Sequence, residues 1–313
     1  MAGPAYSYIS PFAPACAQGF DAASTIALPA AGTAADGTPL ATMPRFGLGS
    51  WEMVGITAQN AVQAAIADAG YRLVDTARYY RNADEVGSAI RASKLKREEI
   101  FLIDKLFTND LGGGVNTRYA VEDSLTRFNV EYIDLMLVHA PDGGKDFRLA
   151  SWATLVDFVK EGKIRYLGVS NFGKHHIDEL WESEEAKDVK PVVNQCEVHP
   201  WFQQRELRQH CEKKGIIMQA YCPLARNQYK ADPTVARIAA RKHLTKAQVL
   251  LRWSIQSGLI PIPKSASLER QRENLASLAS SAHLDENDMA ALDALDRGKH
   301  GWVETQVLSQ DEP

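Results

Sequence analysis

Seven places in the sequence set a polar side chain at the end of a short apolar run. Asp75 follows "YRLV", Lys105 closes "IFLID" and His139 closes "YIDLMLV". Ser170-Asn171 follow "YLGV", Asn194-Gln195 sit within "VVNQCEV", Tyr221 follows "IIMQA" and Lys264-Ser265 follow "IPIP". A carboxylate, an ammonium, an imidazole and a phenol are the groups that move protons and stabilise developing charge. Strand ends need only turn residues, so polar groups recurring in one register point to a shared site. His139 poses the question most sharply. "YIDLMLVHAP" is nearly continuous apolar strand from Tyr132, yet it stops at an imidazole with Pro141 close behind. Taken alone, a histidine at a strand end is more often a satisfied structural residue.

The elements that must position these residues follow from periodicity. A strand apolar on both faces belongs in a parallel sheet covered on both sides. Eight such runs begin at Met43, in "MPRFGLGS", "YRLVDTA", "IFLIDKL", "YIDLMLVH", "IRYLGVSN", "VVNQCEVH", "IIMQAYCPL" and "LIPIPKS". Segments with helical spacing lie between them, several closed by glycine (Gly70, Gly162, Gly215, Gly258). Strand and helix alternating in this way predict an α/β fold, a (β/α)8 TIM barrel, whose C-terminal strand ends converge on one mouth. A doubly wound sheet is the competitor, but "RFGLGSW" supplies Gly47 and Gly49 without the third glycine of a dinucleotide fingerprint. "TIALPAAGTAADGTPLATM" predicts an N-terminal hairpin turning near Asp36-Gly37, and "DENDMAALDALDRG" an extra C-terminal helix. Residues 1–20 read as a flexible extension and residues 21–313 as a single domain.

Composition narrows the function classes. The 313 residues are 45% hydrophobic and 24% charged, with 35 basic against 39 acidic side chains. A net charge of −4 offers no field for nucleic acid or an anionic membrane. The four cysteines (Cys16, Cys196, Cys211, Cys222) show no paired spacing, which suits a reducing compartment. No Lys or Arg precedes Arg45, and Pro4, Pro11 and Pro14 interrupt any apolar segment, so neither a secretory nor a mitochondrial leader is expected. The expectation is a cytoplasmic protein, a monomer or weak homo-oligomer, acting on a small molecule.

The runs "GYRLVDTARYYRNADEVGSAI", "IFLIDKL", "YIDLMLVHAP", "GKIRYLGVSNF", "NQCEVHP" and "IPIPKSASLERQREN" together resemble the aldo-keto reductases, in order from about Pro44 to Arg297. The resemblance implies a catalytic set of Asp75, Tyr80, Lys105 and His139, with Tyr79 the neighbour not to be confused with Tyr80. It implies NADPH as cofactor: Ser170, Asn171 and Gln195 on the carboxamide, Asp75 beside the ring, and Tyr221 stacked on it. Leu224 and the Gly49-Ser50-Trp51 turn would line the pyrophosphate path. Lys264, Ser265 and Arg270 would meet the 2′-phosphate, with Glu273 and Asn274 on the adenine. The expected substrate walls are Trp51, Tyr79, Phe107, His139, Ala140 and Trp201.

The chemistry supports the resemblance. Carbonyl reduction needs a proton at the oxygen, and a phenol is a poor acid unless a cation stabilises its phenolate. Lys105 can be that cation, with Asp75 orienting it and His139 donating to the substrate oxygen. The implied function is NADPH-dependent reduction of an aldehyde or ketone. The alternative is a cofactor-binding regulatory subunit related to the same family. A barrel lyase or hydrolase would need a metal set or a carboxylate pair, and no metal site is expected, since His175-His176 lack a spaced third ligand.

Three departures from the family pattern carry expectations of their own. Asp104 stands where a small hydroxyl residue is usual, and an inward carboxylate there would perturb Lys105. Cys222 and Ala225 replace the frequent Ser and Gly beyond Tyr221. The glycine-rich "LFTNDLGGGVN" reads as a mobile loop over the mouth. The stretch "KHGWVETQVLSQDEP" is short, which leaves substrate selection to the barrel loops.

Overall fold

The computed structural model describes residues 24–31 and 42–304. Its centre is an eight-stranded sheet. The strands run in order as β3 (Leu48–Gly49), β4 (Leu73–Asp75), β5 (Phe101–Leu106), β6 (Ile133–Val138), β7 (Ile164–Ser170), β8 (Val193–Glu197), β9 (Ile217–Tyr221) and β10 (Ile260–Pro261). Every neighbouring pair is parallel. The sheet closes on itself: the Gly47 and Gly49 amides donate to the Pro261 and Pro263 carbonyls at 3.1 Å, and Gly49 bridges Lys264 in parallel. A side chain at Gly49 would come within 2.9 Å of the Ile262 carbonyl, so the closing seam needs glycine there. The barrel expected from periodicity is the fold observed.

The expected hairpin pairs as β1 (Thr25–Ala27) with β2 (Thr42–Pro44), Ile26 opposite Met43, and its turn lies outside the described residues. It covers the bottom of the barrel, because Ile26, Leu28 and Met43 join the interior cluster of Leu73, Phe101, Ile103, Leu135, Leu137, Val193 and Ile217. A second, larger apolar layer lies between the strands and the helices. Strand side chains alternate between these layers. On β5, Phe101 and Ile103 point inward and Leu102 and Leu106 outward, so Lys105 faces the barrel axis and Asp104 the helices.

Helices α1 (Gly55–Ala64), α2 (Ala83–Ala92), α3 (Gly114–Phe128), α4 (Lys145–Lys160), α5 (Lys174–Glu182) and α6 (Arg205–Lys213) each return the chain to the next strand. Between β9 and β10 there are two helices, α7 (Pro233–Lys242) and α8 (Lys246–Gln256), where periodicity led only to the second. The missed helix carries a local start signal. The Asp232 carboxylate caps the Thr234 and Val235 amides with Pro233 at the first helical position. α9 (Leu268–Leu275) follows β10, and the added helix α10 (Glu286–Asp293) is held to α7 by Arg241 and Lys242 on Asp285 and Asp288. Among the described residues no helix is long and apolar enough to cross a membrane.

Candidate active site

The strand ends converge on one cleft of about 540 Å³ at the C-terminal face of the barrel. At its floor the Lys105 ammonium spends three donors: on Asp75 Oδ1 at 2.6 Å, the Thr76 carbonyl at 2.9 Å and the Tyr80 hydroxyl at 3.4 Å. The second Asp75 oxygen accepts from Gln195 Nε2 at 2.7 Å, and Gln195 also donates to Gln219 Oε1 at 2.9 Å. A buried ion pair so fully bonded holds its geometry, and removing one partner of such a pair typically costs about 3–5 kcal/mol.

Tyr80 comes from the short turn Arg78–Tyr80 after β4, not from a strand. Two networks, one buried and one partly buried, fix that turn. Asn82 donates to the Ser50 and Met53 carbonyls at 3.1 and 3.0 Å and accepts from Thr76 Oγ1 at 2.6 Å. Arg78 reaches the Ala120 carbonyl and Asp123 at 2.8 Å and Asp110 at 3.1 Å, which ties the turn to α3 and the β5 loop. Asp110 also accepts the Phe107 amide at 2.8 Å, so one carboxylate positions both walls of an aromatic stack. Trp51 and Tyr79 stack with centroids 5.6 Å apart, and Tyr79 and Phe107 at 4.4 Å.

Electrostatics assign protonation states. Burial, then the Asp75 carboxylate and more distant anions including Glu304, push the Tyr80 phenol well above its ordinary value, so it keeps a proton to give. Burial pulls Lys105 down while Asp75 opposes the shift. Burial, with Lys105 behind it, lowers His139 to about 3, so its imidazole is neutral and carries one donor. The His139 Nδ1 and Trp51 Nε1 atoms are buried without a hydrogen-bond partner, polar groups that a ligand in the cleft could satisfy.

Of the residues singled out in the sequence, Gly49, Trp51, Asp75, Tyr79, Tyr80, Phe107, His139, Ala140, Ser170, Asn171, Gln195, Tyr221, Leu224 and Lys264 line the cleft. Asn171, in a left-handed conformation, donates to the His139 carbonyl at 3.0 Å and accepts from the Tyr221 hydroxyl at 2.9 Å. These amides beside a flat phenol ring suit a nicotinamide and its carboxamide. Arg270 is exposed on the first turn of α9, and Asn274 is buried. Ser265 is buried and bonded to Ser267, and Glu273 accepts from Thr245 at 2.6 Å.

Some placements differ from the reading of the sequence. Trp201 does not line the cleft. The chain folds back between His199 and Phe202, and the indole stacks on Tyr229 at 4.4 Å in the core. Ser50 is fully buried in the Asn82 network, away from the cleft. Asp104 turns outward from the barrel axis, although its charge still acts on Lys105 and Tyr80. The glycine-rich loop is not a flap over the mouth: the Gly112 and Gly114 amides donate to Ser151 and Thr154 of α4. The cleft also holds Cys222, together with Glu52, Asp142, Arg226, Asn227 and Glu304, loop residues that no periodic signal marks. Glu304 arrives from the C-terminal segment, whose Val303 and Glu304 amides donate to the buried Glu197 carboxylate at 2.7 and 2.8 Å.

Residues 43–297 match the model of the aldo/keto reductase family. The chain is 41% identical over 256 residues to the glyoxal reductase of Bacillus subtilis, covering 82% of this chain and 90% of that one. It is 35% identical over 271 residues to the methylglyoxal reductase DkgA of Yersinia pestis, covering 86% and 95%. A crystal structure of an aldo/keto reductase from Brucella melitensis superposes with a TM-score of 0.78 at 36% identity, over 88% of this chain and all of that one. Family model, relatives and fold agree, and the chain belongs to the aldo/keto reductases, a family of oxidoreductases typically dependent on NAD(P)H.

Proposed function

We propose that the protein reduces an aldehyde or ketone to the alcohol with NADPH, and that Tyr80 delivers the proton. The observation that carries this reading is the Lys105 ammonium, which meets both Asp75 and the Tyr80 hydroxyl in one buried cluster at the mouth. NADPH, when bound, supplies a hydride to the carbonyl carbon; the oxygen takes the proton. Tyr80 gives up that proton as negative charge grows on the oxygen, and Lys105 stabilises the phenolate left behind. His139, neutral, donates to the same oxygen and fixes its direction. Asp75 keeps Lys105 in place.

Asn171, Ser170 and Gln195 would hold the carboxamide, Tyr221 the face of the ring, and Gly49, Trp51 and Leu224 the path of the diphosphate. Lys264 and Arg270, both exposed where α9 begins, would meet the 2′-phosphate, with Ser265, Glu273 and Asn274 behind them. The names of the relatives make uncharged 2-oxoaldehydes the first substrates to try.

Tyr80→Phe tests the assignment. It should lower turnover by about 10²–10⁴-fold and leave NADPH binding, read by fluorescence titration, nearly intact. Retained turnover in this variant, with loss in Tyr79→Phe, would move the proton donor to the neighbouring ring.

A further inference from the structure

The charged groups lining the cleft are Glu52, Asp75, Asp142, Arg226, Lys264 and Glu304. Asp75 is engaged by Lys105 and Gln195. Arg226 pairs with Glu304 and lies in the field of Glu52. Lys264 stands at the β3–β10 seam. Beside Phe107 and His139, Asp142 has no cation paired with it among the described residues. Asp142 follows His139 by three residues; its Oδ2 accepts from Thr108 Oγ1 at 2.6 Å, while its Oδ1 is buried with no partner. Asp142 forms no ion pair among the described residues, and neither does Glu52, exposed next to Trp51 in a left-handed conformation.

Glu304 is built in rather than dangling. Its side chain is 8% exposed, and its amide is fastened to Glu197, itself bonded to His199. The neutral His139 adds no charge to offset these acids. The remaining wall is the stacked series Trp51, Tyr79 and Phe107, and Ala140 leaves space beside His139.

Resting on the reductase reading above, we propose that Asp142 and Glu304 are specificity-determining residues that select by charge. The cleft takes carbonyl compounds with a flat apolar body that are uncharged or cationic, and it rejects those carrying a carboxylate. Glu304 does this twice over, by its own charge and by occupying Arg226, the cation that an anionic substrate would otherwise meet.

The test uses para-substituted benzaldehydes of similar shape: the carboxylate, its methyl ester, the nitro compound and the trimethylammonio compound. The nitro compound matches the ammonium in electron withdrawal, so those two differ chiefly in charge. Each kcat/KM is read as a ratio to the methyl ester within the same protein. In the native protein the carboxylate should fall about tenfold or more below the ester, and the ammonium compound should equal or exceed the nitro compound, as expected for like and opposite charges in a partly screened cleft. Asp142→Asn and Glu304→Gln should each shrink the carboxylate deficit. Glu304→Gln should shrink it more, because it also releases Arg226, and Arg226→Gln should deepen it. Titrating tryptophan fluorescence with the same aldehydes should give the same order without turnover. A carboxylate bound and reduced as well as its ester, or a deficit untouched by both neutral variants, overturns the proposal. If no aldehyde is reduced the reductase reading fails, and the titration still decides the charge preference.

Discussion

At the scale of single residues, the alternation of one strand decides what Asp104 can do. Lys105 takes the inward position on β5, so its neighbour is buried against α3 instead, near Arg78 and Ser124. Neither Asp104 oxygen has a well-formed hydrogen bond, although Ser124 and the Lys105 amide lie near enough to favour the charged form. Burial outweighs them and pushes this carboxyl up to about 6. A carboxyl raised in this way binds its proton more tightly folded than unfolded. Its burial therefore costs nothing in strong acid, costs increasingly as pH climbs from 3.8 to about 6, and stays at roughly 3 kcal/mol above that. Asp104→Asn should thus raise the melting temperature by on the order of 5 °C at pH ~8 and by roughly a third of that at pH ~4.5. Thermal melts at both values check this, and an equal gain at both would mean that Asp104 is not the titrating group. The sequence exposed the departure at Asp104 but left open which way the side chain points.

At the scale of elements, what was legible was whatever repeats. "YIDLMLVH" announced β6 and placed His139 at its end because a strand buried on both faces is nearly continuously apolar, with Asp134 its one charged residue. α7 escaped because no strand separates it from α8, although Asp232-Pro233 marked its start. Loop charges carry no period at all, which is why Asp142, Arg226 and Glu304 were invisible until the loops had shapes. Trp201 looked like a pocket wall for the same reason, since only the reversal at His199–Phe202 reveals which way it faces. The segment that brings Glu304 to the cleft depends on one small residue. A side chain at Gly301 would sit 1.8 Å from the Trp201 carbonyl, and the Tyr229 hydroxyl already donates to the Gly301 carbonyl at 3.3 Å. Gly301→Ala should push the segment off Trp201, cost about 1–3 kcal/mol, and loosen the hold of Glu197 on Val303 and Glu304. Hydrogen exchange at those two amides reads the effect directly; unchanged protection would show that the backbone absorbs the methyl elsewhere.

At the scale of the whole molecule, the two faces of the barrel divide the labour. The top gathers the ionisable groups of the cleft, and the bottom is closed by the hairpin with Ile26, Leu28 and Met43. A polar column joins them through the axis: Lys105 to Asp75, Asp75 to Gln195, Gln195 to Gln219, and Gln219 to the Met43 sulfur at 3.3 Å. Met43→Ala should destabilise the fold by about 2–5 kcal/mol, because it opens a cavity in the plug. Below its lowered melting temperature the variant should keep most of its turnover, since active-site groups of such barrels lie at the opposite face. Stability and kcat measured on the same sample separate the two, and a parallel collapse of kcat would show that the axial column transmits the damage upward.

The anchoring of Glu304 on Glu197 has a consequence in time. A ribosome makes the chain from its first residue onward, so all eight barrel strands exist before residue 304 does. Until then the Glu197 carboxylate lacks the two backbone donors it holds in the finished protein, and Arg226 lacks its partner. The barrel is complete before its mouth is. A nascent chain stalled short of residue 304 would display the Lys105–Tyr80 cluster beneath an opening of different charge, with Arg226 not yet matched by Glu304.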